Sequence, residues 1–438
     1  MKKDNLTNQS WKLIIDKYNI IDELKKNNLF HITANRIKEF REPRLMAKFD
    51  SSKNLPEIFI NNSINILPVS RASYVLGHFK LYESFPELTD YNKKLPKIEL
   101  EEFETIDIER ITSESNAINV LKISGILEDF LELKIGERLY PTFNGRMNSG
   151  EFEFVVETIN DNRENISVKN AQIEIDAGFE SETCIVIVEA KNVINDDFHI
   201  RQLYYPFRKW DNLVKKPVRL IFSIYSNMIF RMLEYEFADK KNYSSIRLVK
   251  QKFYTLEDTD ITEEDLKHVY NSIRSEDILT DELSTTDIPF IQADSFERII
   301  SLLEAFYEKN NMTDMEIQEL MQFTSRQAEY YCNAGKYLGI FEKGYKDKKI
   351  KVHYLTKLGK EIFELNYKKR QLKLVEQILK HEIFRILFLK VLKEGEFPDK
   401  KFVSNLERKL NVTSKGTSDR RAQTIIAWLK WIYNLKNL

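Results

Sequence analysis

A chain of 438 residues that is 42% hydrophobic and 12% aromatic can bury two to four cores, since one domain usually holds roughly 100 to 200 residues. No stretch approaches the roughly 20 consecutive apolar residues of a membrane helix, and the start MKKDNLTNQSWKLIIDKYNI lacks a signal-peptide apolar run, so a multidomain cytoplasmic protein with no membrane partner is expected. A net charge of −1 does not by itself point to nucleic acid, and two cysteines without metal spacing, Cys184 and Cys332, support neither disulfides nor zinc and read as core thiols.

Residues 1–112 form an expected N-terminal α/β region with a possible part in DNA recognition. It opens with helical periodicity from Trp11 to about Phe40, carried by Trp11, Ile14, Ile15, Tyr18, Ile21, Leu24, Leu29 and Ile32. The segments EIFI, INILPV and YVLGHFKLYESF, between Glu57 and Phe85, then read as strands. Residues 113–255 begin with SNAINVLKISGILEDFLELKIG, whose three- and four-residue apolar steps predict one or two helices ending near Gly136. The turn Asn144, Gly145, Arg146 precedes the strands FEFVV, NISVKNAQIEIDAG and TCIVIVEAKN. A helix over DFHIRQLYYPFRKWDNLV and the strands VRLIFSIYS, IFRMLEYEF and IRLVKQKFYTL complete a mixed α/β core.

The stretch 256–294 holds twelve acidic residues against Lys267 and Arg274 and reads as a linker with one short helix capped at Thr262. Residues 295–370 then run helix, helix, helix, basic hairpin, which is winged-helix order. Residues 371–438 supply a second helical, winged-helix-like module. Charge follows this division. Phe341 to Lys380 carries twelve Lys or Arg against five acids, and Lys401 to Leu438 eight against two, the footprint that phosphate backbones select.

The sharpest local signal is QIEIDAGFESETCIVIVEAKN, residues 172 to 192. Asp176 ends one expected strand, and Glu189 follows the apolar run Ile185 to Val188. Strand alternation turns Glu189 and Lys191 to one face and Ala190 to the other. If the two strands pair, Asp176 meets that face. Two carboxylates there suit Mg2+, which takes few protein ligands and keeps its waters. The lysine can orient or help deprotonate an attacking water and stabilise transition-state charge. The same E-x-K spacing at Glu132 to Lys134 and Glu407 to Lys409 lies in predicted helices, where such residues do not face each other.

This Asp176, Glu189-Ala190-Lys191 pattern and its strand order resemble the PD-(D/E)XK nuclease superfamily, specifically type II restriction endonucleases, over about residues 115 to 235. The resemblance implies an α/β fold with a mixed-sheet restriction-endonuclease-like core, and the element order and charge of residues 295–438 add C-terminal all-α or winged-helix DNA-binding modules. It implies a site-specific, metal-dependent deoxyribonuclease that cleaves both strands of DNA and leaves a 5′-phosphate. Metal would be held at Asp176, Glu189 and Ala190, with Lys191 serving the water. Ile175 stands where many members have proline.

Further candidates follow, the acids and the glutamine from the same resemblance and the others from the residues themselves. Glu128 or Glu132 would be the acid on the preceding helix, and Gln202 would be a glutamine near the active site. Arg146, Arg201 and Arg208 could contact phosphates, with Tyr204 and Tyr205 equally open to core packing. In the winged helix the reading face would be Ser325, Arg326, Gln327 and Asn333, and the wing Lys343, Lys346, Lys348, Lys349 and Lys351. Ser418, Arg420, Arg421, Gln423 and Thr424 begin the last helix, whose Trp428 and Trp431 read as core. No P-loop, HExxH, GxSxG or methyltransferase-type glycine motif is present. The implied partners are double-stranded DNA, a second copy of the chain during cutting and a separate DNA methyltransferase. Two other readings stay open: a structure- or damage-directed nuclease, and a DNA-binding regulator with an inert nuclease-like core.

Overall fold

A computed structural model describes residues 6–87, 97–100, 103–108, 111, 113–281, 290–347, 349–412 and 418–437. Its N-terminal unit contains helices α1 (Leu6–Lys17) and α2 (Ile20–Asn27), strand β1 (Phe30–Thr33), short helices α3 (Ala34–Lys38), α4 (Pro43–Ala47) and α5 (Glu57–Asn61), and hairpin strands β2 (Asn65–Pro68) and β3 (Ser73–Gly77). Two expectations change here. The helical stripe over 11–40 stops at Asn28, which takes a left-handed φ of 60°, and Ile32 continues it as a strand residue. EIFI is helical, because Pro56 precedes its first turn and Phe59 turns inward onto Trp11, ring centroids 4.6 Å apart.

A short strand β4 (Tyr82–Ser84) leads to the middle unit. Helices α6 (Glu114–Ser124) and α7 (Ile126–Leu131) come first, then strands β5 (Tyr140–Asn148), β6 (Glu151–Glu157), β7 (Arg163–Lys169), β8 (Gln172–Glu180) and β9 (Ile185–Lys191). Strand β10 (Asp197–His199), helix α8 (Arg201–Asp211) and strands β11 (Val218–Ser226), β12 (Ile229–Phe237) and β13 (Ile246–Thr255) follow. Six of these strands make one sheet in the order β13-β12-β11-β9-β8-β5, with β9 and β11 parallel. Asn144, Gly145 and Arg146, expected as a turn, lie within β5 opposite β8.

The central strand explains its own sequence. Every residue of Ile185–Ala190 is buried, because helices cover both sides. Val186, Val188 and Ala190 pack with Ile118, Leu121 and Phe130 of α6 and α7. Ile187 packs on the opposite side with Leu203, Tyr204 and Phe207 of α8.

Helix α9 (Glu263–Ser272) begins at the expected Thr262 cap, but its surroundings are not a free linker, since Ile261 and Leu266 are fully buried. The C-terminal region has helix α10 (Phe296–Lys309), strand β14 (Met312–Thr313), helices α11 (Asp314–Leu320) and α12 (Ser325–Tyr337), and strands β15 (Phe341–Lys346) and β16 (Ile350–Leu355). Helices α13 (Lys357–Phe363), α14 (Tyr367–Leu379), α15 (Glu382–Glu394), α16 (Lys400–Lys409) and α17 (Ser418–Asn434) complete it. The expected division at 370/371 falls inside α14. A single hydrophobic cluster runs from Phe290 to Leu435, so this region packs as one unit, with Trp428 and Trp431 inside it. No helix among the described residues is long and apolar enough to cross a membrane.

Candidate functional site

Strands β8 and β9 pair antiparallel only as far as Ala177 opposite Val188. Beyond that point the ladder stops, and the Asp176 side chain takes over its next donor. Its Oδ2 accepts the Ala190 backbone N–H at 2.9 Å. Asp176 therefore sits inside β8, not at its end. A bulge turns it to the site: Gly178 lies opposite Phe143, whereas Ile175 lies opposite Gly145, one residue too many on β8. Ile173 and Ile175 pack on the α8 side of the sheet, while Ala177 and Phe179 pack on the α6 side. Bulges re-aim side chains in this way. Gly178 is required there, because a Cβ would lie 2.1 Å from the Phe143 ring.

Glu189 and Lys191 leave β9 on the same face, as alternation predicts, and Ala190 packs into the opposite core. The Lys191 ammonium donates to Glu189 Oε1 at 2.7 Å and to the Ala190 carbonyl at 3.0 Å. Gln202, in the first turn of α8, donates from Nε2 to the same Glu189 oxygen at 2.5 Å. Burial pushes the Glu189 carboxyl up to about 7, against the pull of Lys191. Burial also disfavours the Lys191 charge, but Glu189, then Glu114 and Asp176, outweigh it and hold the amine above its ordinary range.

Glu114 is the acid that sequence reasoning missed. It begins α6, capped by the Ser113 hydroxyl, and its Oε1 lies 4.0 Å from Lys191 Nζ. Burial raises its pKa, Lys191 lowers it and Asp176 raises it again. The expected helix acids point elsewhere. Glu128 accepts the Leu139 N–H, and Glu132 pairs with Lys250 at 2.8 Å on the far edge of the sheet. A cleft of about 290 Å³ opens beside the cluster, lined by Asp176, Gly178, Asn144, Ser115, Asn119 and Lys122.

The oxygens expected to hold a metal can be located. Glu189 Oε1 and the Ala190 carbonyl, two oxygens of the expected metal set, both already face a positive charge in Lys191 Nζ. Among the described residues no group of three or more His, Cys, Asp or Glu forms a ready metal cage. A two-carboxylate edge suits an ion that keeps water ligands, as Mg2+ does, and not a closed zinc site.

The expected DNA contacts divide. Arg208 is a correction: it is buried, donates to the Glu153 carbonyl at 3.0 Å and to the Tyr204 hydroxyl at 2.9 Å, and packs among aromatic rings. Tyr204 and Tyr205 are fully buried. Arg201 is half-buried beside Tyr205, and Arg146 is exposed with its Nε 3.2 Å from Glu174. At the start of α12, Ser325 and Arg326 are exposed, but Gln327 is spent on the helix, its Oε1 accepting the Thr324 N–H at 3.0 Å. Lys343, Lys346 and Lys349 are exposed on the hairpin, and Lys351 is half-buried 3.2 Å from Asp314. Lys348 lies outside the described residues. Ser418 begins α17, with its side chain outside the described set, while Arg420 and Gln423 are exposed. Arg421 is half-buried near Glu407 and Thr424 is buried, so neither faces a groove freely.

Three family models match successive stretches, each described as a domain of unknown function: DUF6996 over residues 8–76, DUF6997 over 77–255 and DUF7226 over 298–437. The whole Asp176, Glu189, Lys191, Gln202 and Glu114 cluster lies within the second. No curated protein and no solved structure matches the chain.

Proposed function

We propose that this chain is a Mg2+-dependent DNA endonuclease of the restriction type, with a PD-(D/E)XK core over about residues 113–255 and DNA-binding units on either side. One observation carries the reading. Asp176, Glu189 and Lys191, the residues that the sequence pattern singled out, converge on one strand edge beside an open cleft. The sheet order and the helices on both faces are compatible with that core.

In this reading Asp176, Glu189 and the Ala190 carbonyl hold Mg2+, which supplies Lewis acidity and lowers the pKa of water. Gln202 fixes the Glu189 carboxylate, so the two acids keep their relative geometry. Glu189, Glu114 and Asp176 favour the charged form of the Lys191 amine. Its role is to orient the nucleophile and offset charge on the phosphate oxygens. The water oxygen bonds to phosphorus while its proton passes to bulk solvent, the P–O3′ bond breaks, and the leaving 3′ oxygen takes a proton from solvent to become a hydroxyl. The 5′ side retains the phosphate.

The basic hairpin of β15 and β16 and the start of α12 follow helix, strand, helix, helix, strand, strand order, which supports a winged helix on the DNA backbone. Homodimerisation during cutting and a partner methyltransferase belong to the same proposal. The test is digestion of unmodified phage DNA with Mg2+, comparing wild type with Asp176→Ala and Lys191→Ala. Discrete fragments from wild type alone are expected, with duplex binding retained in both variants. A smear would move the assignment to a structure-directed nuclease, and binding without any Mg2+-dependent cleavage would overturn the enzymatic reading.

A further inference from the structure

The N-terminal unit repeats a connectivity found near the other end of the chain. Its chain order is two helices, β1, three short helices, β2, β3, and in its sheet β1 pairs with β3, which pairs with β2. The strands of the unit around α10 to β16 pair in the same order, β14 with β16, which pairs with β15, and helices again separate its first two strands. In both, a strand between helices is added to the outer side of a later hairpin.

Charge on the first unit is placed to match. From Ala34 to Lys48 five bases stand against two acids, Glu39 and Glu42. Arg36, Lys38, Arg44 and Lys48 are exposed, and so is Arg71 at the tip of the β2–β3 hairpin. Hairpin and helices thus carry cations on a unit whose inner faces close on Trp11, Ile37, Met46 and Phe59.

Position supplies an independent observation. The chain leaving α4 runs straight to the catalytic edge. Lys48 pairs with Asp50 at 3.4 Å, and the Asp50 carbonyl accepts the His199 N–H at 3.0 Å. The Ser51 hydroxyl donates to Asp197 at 2.5 Å, and the Ser52 N–H at 3.1 Å. Strand β10, held in this way, leads directly into α8 and Gln202.

We propose that the N-terminal unit is a second winged helix, and that its α3–α4 segment and its Arg71 hairpin grip the phosphate backbone of duplex DNA next to the catalytic cluster. The occupant is duplex DNA because the exposed side chains are cations on a helix pair and a wing tip, the arrangement that tracks two successive backbone segments. Duplex held there reaches the proposed cleavage site through the segment that joins Asp50 to His199. That last step rests on the nuclease reading, and the binding itself does not.

The experiment measures binding of a fluorescent duplex to the full chain across a salt series, with Ca2+ replacing Mg2+ to suppress cutting. Arg44→Ala/Arg71→Ala is expected to weaken affinity about tenfold or more and to make the slope of log affinity against log salt shallower by about two, roughly one per lost phosphate contact. An unchanged thermal midpoint shows that the exposed substitutions leave the fold intact. Arg44→Glu/Arg71→Glu should weaken binding further. Wild-type affinity and slope in both variants would overturn the proposal. Weakened binding in a wild-type background that never cleaves with Mg2+ would sustain this inference while removing the nuclease assignment.

Discussion

Glu114 and Glu128 are helix glutamates of α6 and α7 with different partners: Glu114 lies 4.0 Å from the Lys191 amine, and Glu128 accepts the Leu139 N–H. Glu114→Gln removes a charge that holds Lys191 protonated and oriented, so cleavage should fall about 10- to 100-fold, the usual cost of losing a supporting group. Glu128→Gln should leave turnover within about twofold of wild type, since its carboxylate serves the Leu139 backbone N–H. Equal losses in steady-state assays of the two variants would remove Glu114 from the site. Protonation gives a second prediction at this scale. Burial holds the Glu189 carboxyl up to about 7, so it is mostly protonated at pH 6 and mostly ionised at pH 8. A cation must displace that proton at the lower pH. Apparent Mg2+ affinity, read as stabilisation in a thermal melt, should therefore drop by about tenfold per pH unit below 7 and level off above it. A flat profile would mean that Glu189 does not hold the ion.

At the level of elements, the bulge in β8 and the clamp on β10 place the cluster. Gly178→Ala sets a methyl against the Phe143 ring, and stability should fall by about 1–3 kcal/mol in denaturant titrations, with cleavage lost in parallel as Asp176 shifts. Asp197 is held by Ser51 and Ser52, just ahead of the helix that carries Gln202. Asp197→Asn and Ser52→Ala should lower kcat about tenfold with KM nearly unchanged, and Ser52→Thr, which keeps the hydroxyl, should restore it. A KM effect alone would assign the clamp to binding instead. These elements also mark what the sequence can and cannot convey. Period-two alternation made Glu189 and Lys191 legible, because a buried run ending in two charges needs an explanation. The Thr262 cap and the apolar steps of α6 and α7 were equally local. The bulge was not, since QIEIDAG alternates smoothly and only the pairing of Phe143 with Gly178 adds the extra residue. Glu114 was missed for the same reason: an acid at a helix start reads as a capping charge until the sheet brings β9 beside it. Arg208 looked like a phosphate donor but carries the hydrogen bonds of a buried aromatic cluster.

One joint of the whole molecule lies where the β11–β12 turn meets the C-terminal unit. Asn227 and Met228 take left-handed φ values of 53° and 61°, turning the Asn227 N–H outward from the sheet. Glu304 of α10 accepts that N–H at 3.0 Å and the Ser226 hydroxyl at 2.9 Å. The Arg370 guanidinium, only 1% exposed, lies 3.3 Å from the same carboxylate, and Gln371 donates to the Asn227 side chain at 2.7 Å. One carboxylate thus satisfies a turn of the middle unit and a buried cation of the last unit. Removing it strands Arg370 without its partner, and an uncompensated buried charge costs about 3–5 kcal/mol. Because Val193, Met228, Ile229 and Phe253 share the C-terminal core, the loss should appear as lost cooperativity between units as well as lower stability. Calorimetry of Glu304→Ala should resolve two transitions where wild type shows one coupled transition, with the DUF7226 stretch melting first. Glu304→Gln, which keeps the shape and one acceptor, should lie between the two. A single transition at the wild-type midpoint in Glu304→Ala would show that the apolar contacts alone join the units, and that the middle and last units move as one body without this carboxylate.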